Sequence, residues 1–190
     1  MFKLSSIETT SKLAIVDDVA RLLQDLEFEI KIGASNSSQI TNDIDSRISR
    51  KLGESYQLIT NQQDLEVDAN GNSIGEIDIA IRIPKDGVIV YIEVEKSNKK
   101  TIWFDYIKLL TKIKNDPKRI GIVICPKNYA HKIGTWNLYH DAISYLSHLV
   151  RLSNNKNIDR IGVIGYTQFA FLEGEWQAFS PGIIQKLKAS

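Results

Sequence analysis

The chain has 190 residues, 43% of them hydrophobic and 25% charged, values that exclude disorder over most of the length. Twenty-four Lys plus Arg against 23 Asp plus Glu give a formal net charge of +1, so total charge does not mark a nucleic-acid binder; only a clustering of cations would. A single cysteine excludes an internal disulfide and no apolar run is long enough to span a bilayer, so a reduced, cytoplasmic protein without a signal peptide or membrane partner is expected.

The length suits one domain, 1–190. Residues 12–27 place Val16, Val19, Leu23 and Leu26 at three- and four-residue spacings, which predicts a packing helix. The polar run GASNSS offers N-caps for a second helix over 38–52, where Ile40, Ile44, Ile48 and Leu52 recur every four residues and Gly53 follows. Short strands are expected at 56–60 and 65–68, the second leading into the turn signal DANGNS. Residues 75–96 read as a hairpin. Ile102, Tyr106, Leu110 and Ile113 then mark a helix over 101–114, ended by NDP. IGIVIC (120–125) has the composition of a strand buried on both faces, helical spacing returns over 135–152, and late strands are expected at 161–170 and 171–179. This order predicts an α/β (α+β) fold, a central mixed β-sheet flanked by helices, with the helix after the hairpin crossing over to lay IGIVIC parallel to a hairpin strand.

In the hairpin GEIDIAIRIPKDGVIVYIEVEK, Ile77, Ile79, Ile81 and Ile83 alternate with Glu76, Asp78, Ala80 and Arg82, and Val88, Val90, Ile92 and Val94 alternate with Ile89, Tyr91, Glu93 and Glu95. A four-residue loop, PKDG, pairs Ile83 with Val88 and so sets Asp78 opposite Glu93, and Glu76 opposite Glu95, on the face away from the aliphatic wall. Cβ atoms at opposed positions stand roughly 4.5 to 5.5 Å apart, where like charges repel. Two readings follow from the alternation alone. The face is solvated and water screens the acids, or the carboxylates hold a hard divalent cation such as Mg²⁺. Ile89 and Tyr91 on the same face point to partial cover.

Asp78, a turn and then Glu93-Val94-Glu95 resembles the active-site hairpin of the PD-(D/E)xK nuclease superfamily, in the Glu-x-Glu variant of BamHI-type type II restriction endonucleases. The strands, helix and further strand from 56 to 125 resemble the common core of that superfamily, and the catalytic core is expected over about 38–126. The resemblance implies that Asp78 and Glu93 bind one or two Mg²⁺ with the Val94 backbone carbonyl. It also implies that Glu95, in place of the commoner lysine, orients or deprotonates the attacking water. Lys96 alternates to the opposite face. An additional acid from the preceding helix region is implied, with Glu54 the candidate and Glu66 the alternative; a two-residue turn at Asn70-Gly71 would put Glu66 on the aliphatic face.

Phosphate favours lysines and helix N-termini, so Asn98, Lys99 and Lys100 are expected to contact DNA, and the 126–136 loop offers Lys127 and Lys132; a solvated charge run is the plain alternative. His131, His140 and His148 have no metal-ligand spacing, and Trp103, Trp136 and Trp176 are expected as core or interface anchors. The apolar positions of the 135–152 helix suit both a core and a partner helix, hence a homodimer on palindromic double-stranded DNA. The expected activity is therefore Mg²⁺-dependent endodeoxyribonuclease, of the type II restriction class or a repair or recombination nuclease. A noncatalytic DNA-binding or subunit-interaction protein on a degenerate nuclease fold is the alternative. A glycosidase-like hydrolase is a further class, but the small size, the flanking lysines and the lack of an aromatic cluster near the hairpin count against it.

Overall fold

A computed structural model describes residues 1–29, 37–59, 76–96, 98–114, 116–131 and 134–189. Strand β1 (Phe2–Thr9) has little of the alternation that would announce it. Phe2 and Leu4 are buried, but Ser6 takes φ 50° and the register shifts between Ser5 and Glu8, so the period breaks at a bulge. Helix α1 (Ala14–Leu23) is shorter than its periodicity suggests. Gln24 leaves the helix while its N–H still reaches the carbonyls of Ala20 and Arg21, and Asp25 at φ 57° turns Leu26 into β2 (Leu26–Phe28).

Helix α2 (Ser37–Gly53) buries Ile44, Ile48 and Leu52 as their spacing requires. Strand β3 (Gln57–Leu58) follows; the expected strand at 65–68, its Asn70-Gly71 turn and Glu66 lie outside the described residues. The hairpin is β4 (Ile79–Ile83) and β5 (Val88–Val94). Then come α3 (Ile102–Ile113), β6 (Arg119–Pro126), the small hairpin β7 (Tyr129–His131) and β8 (Gly134–Trp136), and α4 (Leu138–Leu152). A 3₁₀ turn (Lys156–Arg160), β9 (Ile161–Leu172), β10 (Glu175–Ala178) and α5 (Pro181–Ala189) complete the chain. The β7–β8 pair replaces the plain loop expected over 126–136, and α5 has no counterpart among the expected elements.

The sheet is mixed, in the order β2-β1-β9-β6-β5-β4-β3, with β10 also paired to β9. β5, β6 and β9 run parallel to one another, and the other pairings are antiparallel, so α3 makes the expected crossover from the hairpin to a parallel IGIVIC strand. A core of Val16, Leu23, Ile48, Leu52, Val90 and Ile92 fills one face beneath α1 and α2. Tyr91, Tyr106, Leu109, Val123, Leu138 and Val163 fill the other beneath α3 and α4. Gly165 is small for a reason: a Cβ there would stand 2.4 Å from the Tyr139 ring, so only glycine lets the first turn of α4 lie on β9. Trp103 stacks on Tyr145 at 4.7 Å and joins α3 to α4.

Arg160 closes the fold behind α3. Its guanidinium donates to the carbonyls of Asp116, of Arg119 at 3.0 Å and of Ile113 at 2.7 Å, and to the Asn157 side chain. One planar fork thus satisfies the end of α3 and the turn into β6, where the last helical carbonyls otherwise lack partners.

Candidate functional site

The hairpin register is the expected one. Ile83 pairs with Val88 and Ile79 with Ile92, and Gly87 at φ 64° closes the four-residue loop through its N–H to the Ile83 carbonyl at 2.9 Å. The ladder ends at Ile79. Asp78, the next residue and exposed, bends in with its carboxylate, and Oδ2 accepts the Val94 N–H at 2.8 Å. Ile77 departs from the expected alternation: outside the strand, it packs with Ala80, Ile89 and Tyr91 on the α3 face instead of joining the aliphatic wall. Glu76 is exposed and unpaired in the ladder, so the expected Glu76–Glu95 opposition does not form.

The acidic face is covered, not solvated. Glu93 is 2% exposed and Glu95 8%, beneath the first turns of α3. The Lys108 ammonium of α3 lies 2.7 Å from Glu93 Oε1, a close ion pair that gives the buried carboxylate its partner. Lys108 also stands 3.6 Å from Asp105 and donates to the Glu76 carbonyl at 3.4 Å.

Glu95 is used locally. Its Oε1 accepts the N–H groups of Lys96 at 2.8 Å and Asn98 at 2.9 Å, and its Oε2 accepts the Thr101 hydroxyl, which ties the turn that enters α3. Lys96 leaves for the opposite face, as alternation requires, and pairs there with Asp45 of α2.

Electrostatics tie these groups together. Burial pushes the Glu93 carboxyl up to about 8, against the pull of Lys108 and with the charge of Asp78 adding to the rise. Burial likewise raises Asp105 to about 6, opposed by Lys108, and Asp45 to about 6, opposed by Lys96. Burial works against the Lys108 charge, but Glu93 and Asp105 outweigh it and the net shift is upward. Around one end of β5 the structure gathers Asp78, Glu93, Glu95, Asp105 and Asp45 against Lys108 and Lys96, an acidic excess that attracts cations.

The donor set suits one hard cation held by Asp78 and Glu93: one carboxylate just beyond the end of the ladder, held by the Val94 N–H, and one buried within its electrostatic reach, where the cation would displace Lys108. Among the described residues no three acidic, histidine or cysteine side chains form a ready metal cage, so water and substrate oxygens would complete the shell.

The other expected residues scatter. Glu54 pairs with Lys51 at 2.6 Å on the exposed end of α2, and the acid that α2 brings to the hairpin is Asp45. Asn98 Oδ1 accepts the Lys100 N–H at 3.0 Å, and Asn98, Lys99 and Lys100 are all exposed on the turn that Glu95 holds. Lys127 pairs with Glu8 at 2.6 Å, and Lys132 lies outside the described residues. Asp105 and Lys108 are absent from the sequence expectations. The signal for Asp105 is a charged residue inside a buried helical arc, Ile102, Asp105, Tyr106, Leu109, Lys112 and Ile113, whereas half-buried Lys108 lies outside that arc.

Compared with known proteins, the chain matches no protein-family model and no curated protein.

Proposed function

We propose that the chain is a Mg²⁺-dependent endodeoxyribonuclease acting on double-stranded DNA, of the type II restriction class. The observation that carries this reading is a buried Glu93 close enough to feel the charge of Asp78, whose carboxylate is held by the Val94 N–H, at the end of the hairpin where the sequence resembles a nuclease motif. Asp78, Glu93 and the Val94 carbonyl hold the metal. Bound Mg²⁺ supplies an acidified water and positive charge at the scissile phosphate. Lys108 provides fixed positive charge beside Glu93, on the face where the commoner motif has its lysine. Glu95 fixes the turn that presents Asn98, Lys99 and Lys100 to the DNA backbone.

The setting is cytoplasmic, in keeping with a buried, free Cys125, and no described helix is long and apolar enough to cross a membrane. A homodimer uses exposed Val150 and Leu152 of α4; most other apolar positions of that helix are spent in the core. One observation favours a second reading. The Glu93–Lys108 pair is charge-balanced without metal, as a noncatalytic DNA-binding descendant of such a fold would have it.

Metal binding separates the two. At Mg²⁺ tenfold above its Kd, binding to the folded state adds about 1.4 kcal/mol, so the denaturation midpoint at pH 8 rises by a few degrees. The rise is absent in Asp78→Asn and Glu93→Gln. A wild-type midpoint indifferent to Mg²⁺ and Mn²⁺ would sink the metal site.

A further inference from the structure

Beside the acidic cluster lies an open cleft of about 340 Å³ lined by Lys99, Thr135, Trp136, Asn137, His140 and Asp141. It brings together the turn after β5, the outer strand of the β7–β8 hairpin and the first turn of α4, at the carboxyl ends of the parallel strands. Crevices at that end of open α/β sheets are where ligands bind. We propose that this cleft holds one unpaired nucleotide of the DNA strand, its base stacked on Trp136 and its phosphate met by Lys99 and the N-terminus of α4.

Size comes first. The volume is at the small end of the roughly 300 to 1,000 Å³ typical of ligand pockets, room for a base and its sugar and too little for a base pair. Each lining group has a part in such a ligand. Trp136 is 37% exposed on a short hairpin, braced by Tyr129 at 6.2 Å, and an indole presented in this way is a stacking platform for any base.

Asn137 caps α4 through its side-chain oxygen, which accepts the His140 N–H at 2.9 Å. Its amide NH₂ therefore remains a donor, next to the unsatisfied N–H groups of a 15-residue helix. Lys99 adds charge to that anion-favouring end. Asp141 would repel a phosphate but accepts from an exocyclic amino group, so it belongs to the base and not to the backbone.

Lys99 is four residues beyond Glu95, so the cleft lies at most about 14 Å of extended chain from the cluster. In strand terms that is at most about four base steps from the cleaved bond. The inference rests on the nuclease reading for the identity of the polymer, and it adds that the substrate presents an extruded or single-stranded nucleotide.

Binding in EDTA tests it without requiring cleavage. A labelled single-stranded oligonucleotide of about a dozen nucleotides is titrated against wild type, Trp136→Ala, Trp136→Phe and Lys99→Glu, reading the label's fluorescence anisotropy and, for wild type, tryptophan quenching as well, and the blunt duplex of the same sequence is run alongside. The single strand is expected to quench wild type and to bind more tightly than the duplex. Trp136→Ala should weaken it about tenfold or more, with Trp136→Phe recovering most of the loss. Lys99→Glu, on an exposed turn that tolerates substitution, should weaken binding and flatten its salt dependence. Equal single-strand binding by Trp136→Ala and Lys99→Glu overturns the cleft assignment, and Mg²⁺-dependent plasmid cutting by wild type would then leave the nuclease reading standing. Trp136-dependent binding by a wild type that cuts nothing supports the cleft and removes the nuclease reading.

Discussion

Lys108→Met is expected to cut DNA cleavage about a hundredfold, the scale of losing one preorganised charge at a reacting phosphate. It should also change how stability depends on pH. In the wild type, Glu93, Asp105 and Asp45 keep their protons to higher pH in the folded chain than in the unfolded one. The folded state therefore binds more protons across that interval, and stability falls as pH rises, through about 6 for the two aspartates and on to about 8 for Glu93.

Lys108 opposes the rise at Glu93, so its removal pushes that carboxyl higher still and extends the decline. Below about pH 6 Glu93 is neutral in both proteins and the difference is small. Above pH 8 the variant has a buried carboxyl without its partner. The deficit there is expected to reach about 2 kcal/mol, below the usual cost of breaking a buried pair because Lys108 is partly exposed. Urea midpoints at pH 5.5 and 9, taken without metal, measure it; parallel pH curves for the two proteins would show that the ion pair contributes nothing.

Arg160→Ala should be the most damaging change away from the site. It removes donors from three carbonyls and the Asn157 side chain at once, and hydrogen bonds to a charged group are each worth more than neutral ones. A loss of about 3 kcal/mol is expected, roughly 6 to 12 °C in Tm. Arg160→Lys should recover less than half, since one ammonium cannot reproduce the fork. Because this clamp fixes where α3 ends, it also holds the helix that carries Asp105 and Lys108, and the Arg160 variants should lose affinity for Mg²⁺ along with stability. A midpoint shift within a degree of wild type would show that water satisfies those carbonyls instead.

The parts of the fold legible in the sequence are those where one pattern dominates. The aliphatic alternation of Ile79–Ile83 and Val88–Val94, with Gly87 in the loop, fixes both the hairpin and its register, because a slip by one residue would turn every core side chain outward. IGIVIC has the composition expected of a strand buried on both faces, and all of it but the half-buried Ile120 is buried in β6. Where local chemistry breaks the pattern, reading stops: the bulge at Ser6 hides β1, Asp25 at positive φ ends α1 early, and Ile77 leaves the alternation two residues before the strand begins.

The site divides in the same way. Asp78 and Glu93 follow from register, a local property. Lys108, Asp105 and Asp45 reach the hairpin from helices packed on its two faces, and no spacing within the strands encodes which residue of a helix meets them. Trp136 illustrates the converse: expected as a core or interface anchor, it ends the short strand β8, is 37% exposed and lines a cleft, so it anchors no core.

The central claim is that Asp78 and Glu93 make a metal-dependent DNA-cutting site. Supercoiled plasmid of mixed sequence, incubated with the purified chain, tests it most directly. Discrete fragments with wild type and Mg²⁺, and intact plasmid in EDTA or with Asp78→Asn or Glu93→Gln, are the predicted result. Plasmid left intact by wild type in both Mg²⁺ and Mn²⁺, or cut equally well by the two variants, would contradict it.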